Sequence, residues 1–495
     1  MHKSFVAGLI AVLTAVALSV QAAINQIAAG DEFSLALLAD GTVCSWGYAY
    51  YGELGNGTAD NRNTPGLVSG VANITAIDAG EKHALALRSD GYVGGWGYNI
   101  NYQLGETSQE KWLTPIMIGG ISDVTRIAAG GYHSLALKAN GTVWAWGYNY
   151  YGQLGDGTLT TRATPAKVLG LSGVTAISGG WGHCLALRND GTVWAWGYNG
   201  NGMLGDGSTT DRSTPVQVVE LTGVTAISAG GYHSLALKAD GTVWAWGANE
   251  DGQLGNGTGG AWSYSPTPLQ VVNVSNIVAI EGGTHHSLAI QSDGTLWVWG
   301  DNRFAQLGDG TFVDRWSPFT NGLNNVNKVV GGNFHSLALK QDGTVWAWGW
   351  GDSGELGYGG NLGEAIPTLA DRWQIPEITI NGSAGPVSLS AGNTLSIAVS
   401  LLNANDSTRN GDWWLAVETP LGFFFYVLPG YWTVQPQSVY QGAFFSFGAT
   451  DVLSLNTAGL PAGNYIFYFG VDPLMDGAVD IATLTYDSVV VTLTP

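Results

Sequence analysis

Histidine recurs along this chain at nearly constant spacing, a pattern that raises the question of metal binding or acid–base chemistry. Successive positions are separated by 50, 50, 50, 50, 53 and 49 residues, in the order Phe33, His83, His133, His183, His233, His286 and His335. A metal ion needs about three or four ligands within a few ångströms. One histidine per unit would place these side chains far apart around a ring. We therefore predict a structural role, with each imidazole hydrogen-bonded to backbone near the preceding Gly-Gly turn.

Serine follows most of these histidines, which raises the question of nucleophilic catalysis. Neighbouring residues in a strand point to opposite faces of the sheet, so His133 and Ser134 are not expected to act as a pair. The same reasoning separates His285 from His286. No Gly-x-Ser-x-Gly elbow is found before a predicted helix. A pair of carboxylates for glycoside hydrolysis is not singled out by the sequence, although nothing in it excludes one.

Acidic residues between glycines could suggest calcium. The segment Leu-Gly-Asp/Asn-Gly-Thr/Ser places them at Asn56, Asp156, Asp206, Asn256 and Asp309. Each segment offers one carboxylate or amide, whereas calcium takes about six or more oxygens, so we expect an Asx turn instead. Near the C-terminus, Asp472, Asp476 and Asp480 surround a glycine turn. They are a candidate calcium site, although Leu474 stands where an oxygen donor is expected. A plain turn is the alternative.

These residues belong to a repeated unit of four short predicted strands. Val174–Ser178 alternates apolar and polar side chains. His183–Leu187 and Thr192–Trp196 flank Asn-Asp-Gly, a strong hairpin turn. A proline-led strand such as Pro165–Leu169 suits an outer edge, because proline has no N–H to donate.

Seven units between about Ile24 and Ile375 predict an all-β, seven-bladed β-propeller of four-stranded blades, because radially stacked blades bury each other's faces. In Val143–Trp146, the two tryptophans face one way and the smaller residues the other. An open solenoid is the alternative, but the array lacks polar capping units. The mode of ring closure stays open, since an outer strand could be contributed across the seam between Ile24–Ala28 and Pro367–Ala370.

The charge and the N-terminus limit the partners. The net charge is −20, with 18 Lys+Arg against 38 Asp+Glu, which argues against nucleic acid and anionic membranes. Residues 1–22 combine a basic start, an apolar run and a small-residue cleavage site, and predict an export signal. We therefore expect a secreted, periplasmic or cell-surface protein without a membrane span in the mature chain.

Cys44 and Cys184 lie in different units and are expected not to form a disulfide.

The composition changes after the last unit. Residues 376–495 show no repeat and contain five strand-like runs separated by turn signals: 395–401, 413–417, 422–427, 464–469 and 488–493. This length and pattern predict a β-sandwich of immunoglobulin-like size. The expected domains are therefore a signal peptide at 1–22, a propeller at 23–375 and a sandwich module at 376–495.

The segments 130–137, 240–247 and 151–158 resemble the hallmark sequences of the regulator of chromosome condensation repeat family. The resemblance covers about 350 residues and implies a seven-bladed propeller. Its members' functions diverge and include nucleotide exchange on a small GTPase, ultraviolet sensing in plants and secreted inhibition of β-lactamases. The plant photoreceptors place Trp-Arg before the motif histidine. Here Trp181 is followed by Gly182, so light sensing is not expected.

The loops between Trp-Gly and the proline-led strand vary most and are rich in tyrosine and asparagine, residues typical of binding surfaces. The candidate ligand-binding residues are Tyr50, Tyr51, Tyr102, Tyr150, Tyr151, Asn199, Asn249, Asp301, Arg303 and Trp350. The alternative is that these tyrosines merely cap neighbouring blades. We predict a non-enzymatic exported binding protein with a protein or glycan partner and no cofactor. The other function left open is a secreted polysaccharide hydrolase or lyase with a site at the propeller channel.

Overall fold

The computed structural model describes residues 24–370 in full, and the backbone of ten strands between residues 377 and 494. One compact unit spans Ala22–Arg372, and Trp373–Pro495 belongs to a second. The predicted residues Asp476 and Asp480 and the side chain of Asp472 lie outside what is described, as does the export signal. The described part contains no helical segment with the length and apolar character of a membrane span.

The first unit is a ring of seven antiparallel four-stranded sheets, which we number as blades 1 to 7 in chain order. The inner strands are Ile24–Ala29, Ile74–Ala79, Val124–Ala129, Val174–Gly179, Val224–Ala229, Ile277–Gly282 and Val326–Gly331. The second strands are Phe33–Leu38, His83–Arg88, His133–Lys138, His183–Arg188, His233–Lys238, His286–Gln291 and His335–Lys340. The third strands are Val43–Gly47, Val93–Tyr98, Val143–Gly147, Val193–Gly197, Val243–Ala248, Leu296–Gly300 and Val345–Gly349.

The proline-bearing segments form the outer strands, as predicted: Arg62–Leu67, Lys111–Met117, Arg162–Lys167, Arg212–Gln217, Tyr264–Gln270, Arg315–Thr320 and Glu364–Leu369. Every blade is built from one continuous stretch of chain, and the inner strand of blade 1 pairs with the second strand of the same blade. No strand of residues 24–370 is contributed across the seam. The ring closes through contacts between the inner strand of blade 1 and the inner and second strands of blade 7.

The interfaces between blades hold the core. Trp146 of blade 3 is fully buried and packs against Leu85 and Val93 of blade 2. On the opposite face of the same blade, Val143 and Ala145 pack towards Trp196 of blade 4. The predicted alternation of large and small residues is therefore confirmed. The buried tryptophan of each of these blades packs against smaller apolar side chains of the preceding blade.

The described part of the second unit contains ten strands: Glu377–Ile380, Val387–Ser390, Thr394–Leu401, Asn410–Thr419, Gly422–Val427, Tyr431–Thr433, Tyr440–Ala443, Phe447–Asn456, Gly463–Asp472 and Thr485–Thr494. They form a three-stranded and a seven-stranded sheet. All five predicted runs coincide with strands. The sandwich arrangement of the sheets and the calcium site remain predictions.

Candidate binding face

The motif histidines bind the next blade, not the Gly-Gly backbone that we predicted. The Nε2 atom of His83 lies 3.1 Å from the Ser134 hydroxyl, and that hydroxyl donates to the carbonyl oxygen of Gln103 at 2.7 Å. A hydroxyl has one proton, so Nε2–H must donate to Ser134. The Gly-Gly turn instead makes room for the histidine ring, since a side chain at Gly80 would collide with the imidazole.

The same arrangement recurs at six of the seven interfaces, as His133–Cys184, His183–Ser234, His233–Ser287, His286–Ser336 and His335–Ser34. Burial lowers the pKa of these histidines to about 3 or 4, so they are neutral at physiological pH. A ring of separate, neutral, hydrogen-bonded imidazoles supports the predicted structural role. His285 and His286 face apart, as predicted, because only His286 is fully buried.

The acidic turns are Asx turns, as predicted. Asp156 Oδ1 accepts the backbone N–H of Thr158 at 2.9 Å, and Gly157 has a φ of +80°. An arginine on the following outer strand pairs with the second carboxylate oxygen, as in Arg162–Asp156, Arg212–Asp206 and Arg315–Asp309. These carboxylates are therefore used within their own blades.

The inner strands surround a central channel with a volume of about 140 Å³. Most lining residues are glycine or alanine, but Asp31, Asp78, Glu81 and Glu281 also line it, and no lysine, arginine or histidine does within the described part. Burial raises the pKa of Asp78 to about 6 and, together with the charge of Asp78, that of Glu281 to about 8. Asp78 also accepts the backbone N–H of Ala129 at 2.8 Å, which ties blade 2 to blade 3.

One end of the propeller is covered with aromatic rings. We call it the loop face, because the long loops begin there after the third strands and the inner strands end there. The rings contact one another in three arcs. The first contains Tyr48, Tyr50, Tyr51, Tyr98 and Tyr132; the second Tyr148, Tyr150, Tyr151, Trp181, Tyr198, Tyr232 and His285; the third Phe304, Phe334 and Trp350.

Several predicted site residues lie on this face. Tyr50 is 56% exposed and packs edge-on against half-buried Tyr51, and Tyr150 is 67% exposed over Tyr151. Tyr102 is partly exposed with a φ of +63°, which is uncommon for a non-glycine residue. Trp350 is half-buried against Phe304.

Asn199 and Asn249 do not contribute to the exposed surface. Both are buried, and each holds its own loop together: Asn199 Nδ2 donates to the carbonyls of Ser208 and Thr210, and its Oδ1 accepts the N–H of Leu204. Their recurrence in most units is therefore a consequence of loop geometry. The prediction of these two as surface contacts was wrong.

Asp301 and Arg303 belong to a cluster that the sequence did not reveal. Asp251, Asp301 and Asp314 each bring one carboxylate oxygen within 4.8 Å of the others. Arg303 Nε donates to Asp301 at 2.8 Å, and the imidazole of His285 lies 3.2 Å from Asp251. Burial opposes ionisation of Asp301, but the hydrogen bonds from Arg303 keep its pKa below the usual range, whereas burial raises that of Asp314.

Sequence reasoning missed the rings near the motif histidines. Tyr132, Tyr232, His285 and Phe334 each directly precede one, and Trp181 stands two residues before His183. The signal was available. Because side chains alternate along a strand, a residue next to a buried histidine cannot share its direction. The four residues directly before a histidine therefore face away from it. Tyr132, Tyr232 and His285 join the two tyrosine-rich arcs, as Trp181 does, and Phe334 packs on Phe304.

The comparisons with known proteins agree with this architecture. The sequence profile of the RCC1-like domain matches residues 11–283, and profiles of the regulator of chromosome condensation (RCC1) repeat match residues 277–306 and 326–355, and 293–339 and 342–399. The ultraviolet-B receptor UVR8 of Arabidopsis thaliana is 43% identical over 53 residues, which is 11% of this chain and 12% of the receptor. The match thus spans about an eighth of that receptor's length.

Two solved structures are similar over most of the propeller. Prp20p from Saccharomyces cerevisiae, described together with its binding to Gsp1p and histones, is 26% identical, with 69% of this chain and 86% of that one covered and a TM-score of 0.60. Human WBSCR16 is 23% identical, with 68% and 96% covered and a TM-score of 0.61. The second likeness supports the fold alone.

Proposed function

This chain belongs to the family of RCC1 repeat proteins, and from that premise we propose that it is an exported, non-enzymatic interaction protein whose loop face binds a protein partner. The observation that carries the proposal is the set of exposed aromatic rings on that face, above all Tyr50 and Tyr150. Tyrosine provides a large contact area at a small cost in conformational entropy, and aromatic residues are enriched in interfaces.

The relatives support a protein as the partner. Prp20p is described as binding Gsp1p and histones. Fold alone does not transfer a partner, because one propeller can carry many functions. The proposal therefore names the surface and the class of partner, and it depends on the loop face of this chain.

A capture experiment tests the proposal. Full-length protein is immobilised and exposed to the surface fraction and the medium of the producing cell. The test variant is Tyr50→Ala with Tyr150→Ala. The matched control is Tyr92→Thr, which removes a tyrosine that is 46% exposed at the opposite end of the propeller, where the other blades have threonine. We expect wild type and control to retain the same protein and the double variant to lose it. Retention that is equal in all three would contradict the proposal.

Export is part of the proposal and has a separate test. The support is the composition of residues 1–22, with cleavage expected after Ala22. N-terminal sequencing of the protein recovered outside the cytoplasm should begin at Ala23. Recovery only from the cytoplasm, with Met1 retained, would refute export while leaving the loop face untouched.

One observation favours the second candidate, a polysaccharide hydrolase. Asp301 and Asp314 are carboxyl groups whose pKa values are shifted in opposite directions, as acid–base pairs require. Arg303 already pairs with Asp301 and Asp251, however, and so compensates part of the negative charge of this cluster. Release of reducing ends from a polysaccharide panel, abolished by Asp314→Asn, would support the hydrolase. No release from any polysaccharide would reject it.

A further inference from the structure

Acidic side chains concentrate on the loop face along the consecutive blades 7, 1 and 2. We call this area the seam sector. It contains Asp31, Glu32, Glu53, Glu81, Asp352 and Glu355. The Ser353 hydroxyl donates to Glu32 Oε2 at 2.9 Å and joins blade 7 to blade 1. Glu32 also interacts electrostatically with both Glu53 and Glu355, so the six carboxyl groups form one connected region.

Two of these carboxyl groups lie beneath the surface with one oxygen unused. Glu53 and Glu355 are each 1% exposed. In each, Oε2 accepts a backbone N–H, from Tyr51 at 2.8 Å and from Ser353 at 2.9 Å, whereas Oε1 has no partner within the protein. Four other blades have glutamine at this position: Gln103, Gln153, Gln253 and Gln306. Blades 1 and 7 therefore differ from these four by carrying an acid in place of an amide.

Three tyrosines beside the seam sector already contact lysine ammonium groups of this chain. The ammonium nitrogen of Lys82 lies 5.2 Å from the ring centre of Tyr51 and 5.8 Å from that of Tyr48. Lys111 lies 4.7 Å from the ring centre of Tyr50. These contacts show that the rings present their negative faces in directions that an ammonium or guanidinium group can approach.

The channel adds charge of the same sign. Asp31 and Glu81 of the seam sector line it together with Asp78, which is ionised at pH 7 because its pKa is about 6. Glu281 also lines it, but a pKa of about 8 keeps it mostly neutral at that pH. Field lines from several carboxylates concentrate in a narrow opening with walls of low polarity, and they attract cations there. The loop face is therefore aromatic and, around the seam and the channel, electrically negative.

We propose that the partner of the loop face is a protein segment that presents lysine or arginine side chains to the seam sector. Their cationic groups would meet Glu32, Glu81 and Asp352, which reach the surface, and their alkyl stems would lie on the tyrosine rings. This inference rests on the proposed function, because it assumes that a protein binds the loop face. A neutral glycan could stack on the rings but would leave the carboxylates uncompensated, and an anionic glycan would be repelled.

The test selects peptides from a random displayed library on the full-length protein. Affinities of the selected peptides are then measured by fluorescence anisotropy at low and high salt. The seam variant is Glu32→Gln, Glu81→Gln and Asp352→Asn. Each amide oxygen can still accept a hydrogen bond. The matched control removes three charges at the other end of the propeller: Asp123→Asn, Glu220→Gln and Asp240→Asn. Asparagine occurs naturally at the first and third of these positions in other blades, as at Asn73 and Asn140.

We expect the selected peptides to be enriched in lysine and arginine, to bind wild type and control equally, and to bind the seam variant roughly tenfold or more weakly. High salt should weaken binding to wild type most. Peptides that lose affinity for Tyr50→Ala with Tyr150→Ala but show no cationic enrichment would overturn this inference and leave the proposed function intact. Absence of any peptide that depends on the loop face would overturn both.

Discussion

The imidazole Nε2 of His335 lies 3.0 Å from the hydroxyl oxygen of Ser34, which stands 301 residues earlier in the chain. The hydroxyl donates onward to the carbonyl of Glu355 at 2.9 Å, and Trp46 Nε1 donates to the same carbonyl at 2.8 Å. The seam between blades 7 and 1 is thus closed by the same bonds that join five other pairs of blades. Closure needs no shared strand, because the histidine-bearing face of each blade is complementary to the serine-bearing face of the next, and blade 7 meets blade 1 in the same way.

Removing the hydroxyl at the seam should destabilise the whole ring. Ser34→Ala leaves the buried Nε2–H of His335 without an acceptor, which costs about 1–3 kcal/mol. We expect a lower melting temperature than for Ser69→Ala, a substitution at an exposed serine. Equal melting temperatures for the two variants would show that the seam bond contributes nothing.

The interface between blades 1 and 2 provides a second prediction, because both partners differ there. Phe33 replaces the histidine and Ala84 replaces the serine, and the two pack in one apolar cluster. Phe33→His alone buries an unsatisfied imidazole, and Ala84→Ser alone places a hydroxyl against the phenyl ring. The double variant restores the usual pair. A double-mutant cycle from urea unfolding should give a favourable coupling of about 1 kcal/mol or more, and strictly additive effects would contradict it.

Much of this fold could be predicted from the sequence, because the repeat determines both strand and blade. The spacing near 50, the Asn-Asp-Gly turn and the alternation of Val143–Trp146 led directly to seven four-stranded blades. The partner of each histidine could not be read from one unit, since it lies in the next blade. The joint exception at Phe33 and Ala84 was the one trace of that pairing in the sequence.

The candidate site was harder to predict, for two physical reasons. Residues that recur in the loops for structural reasons, such as Asn199, look like surface residues because they are polar. Conversely, clusters such as Asp251 with Asp301 and Asp314 form across two blades, and their members belong to loops of variable sequence. Only the blade geometry brings them together.

The buried glutamates of blades 1 and 7 predict an unusual pH dependence. Burial raises the pKa of Glu53 to about 7 and that of Glu355 to about 8, above the ordinary value of 4.5. Because the folded pKa exceeds the unfolded one, the contribution to stability is full below pH 4.5 and declines as the pH rises through 7 to 8.

Replacing these acids by amides should therefore stabilise the protein only at higher pH. Glu53→Gln with Glu355→Gln should raise the melting temperature relative to wild type at alkaline pH and leave it nearly unchanged in acid. Gln153→Glu provides the reverse control, since it introduces a buried carboxyl group at the equivalent position of blade 3 and should destabilise most at alkaline pH. A difference between wild type and the double amide that does not vary with pH would contradict the assignment.

The two tryptophans of each third strand should differ sharply in their importance. Trp146 is fully buried and donates from Nε1 to the carbonyl of Gln103 at 2.8 Å, across the blade interface. Trp144 is half-buried and bonds only within its own blade, to Thr142. Trp146→Phe removes the bond between blades and leaves a cavity, so we expect a loss of at least about 1 kcal/mol. Trp144→Phe should cost clearly less, because water can reach the place of the missing ring. Thermal unfolding of the two variants measures the difference directly. Equal losses of stability would mean that the tryptophans contribute through burial in their own blade and not through the contact with the neighbouring blade.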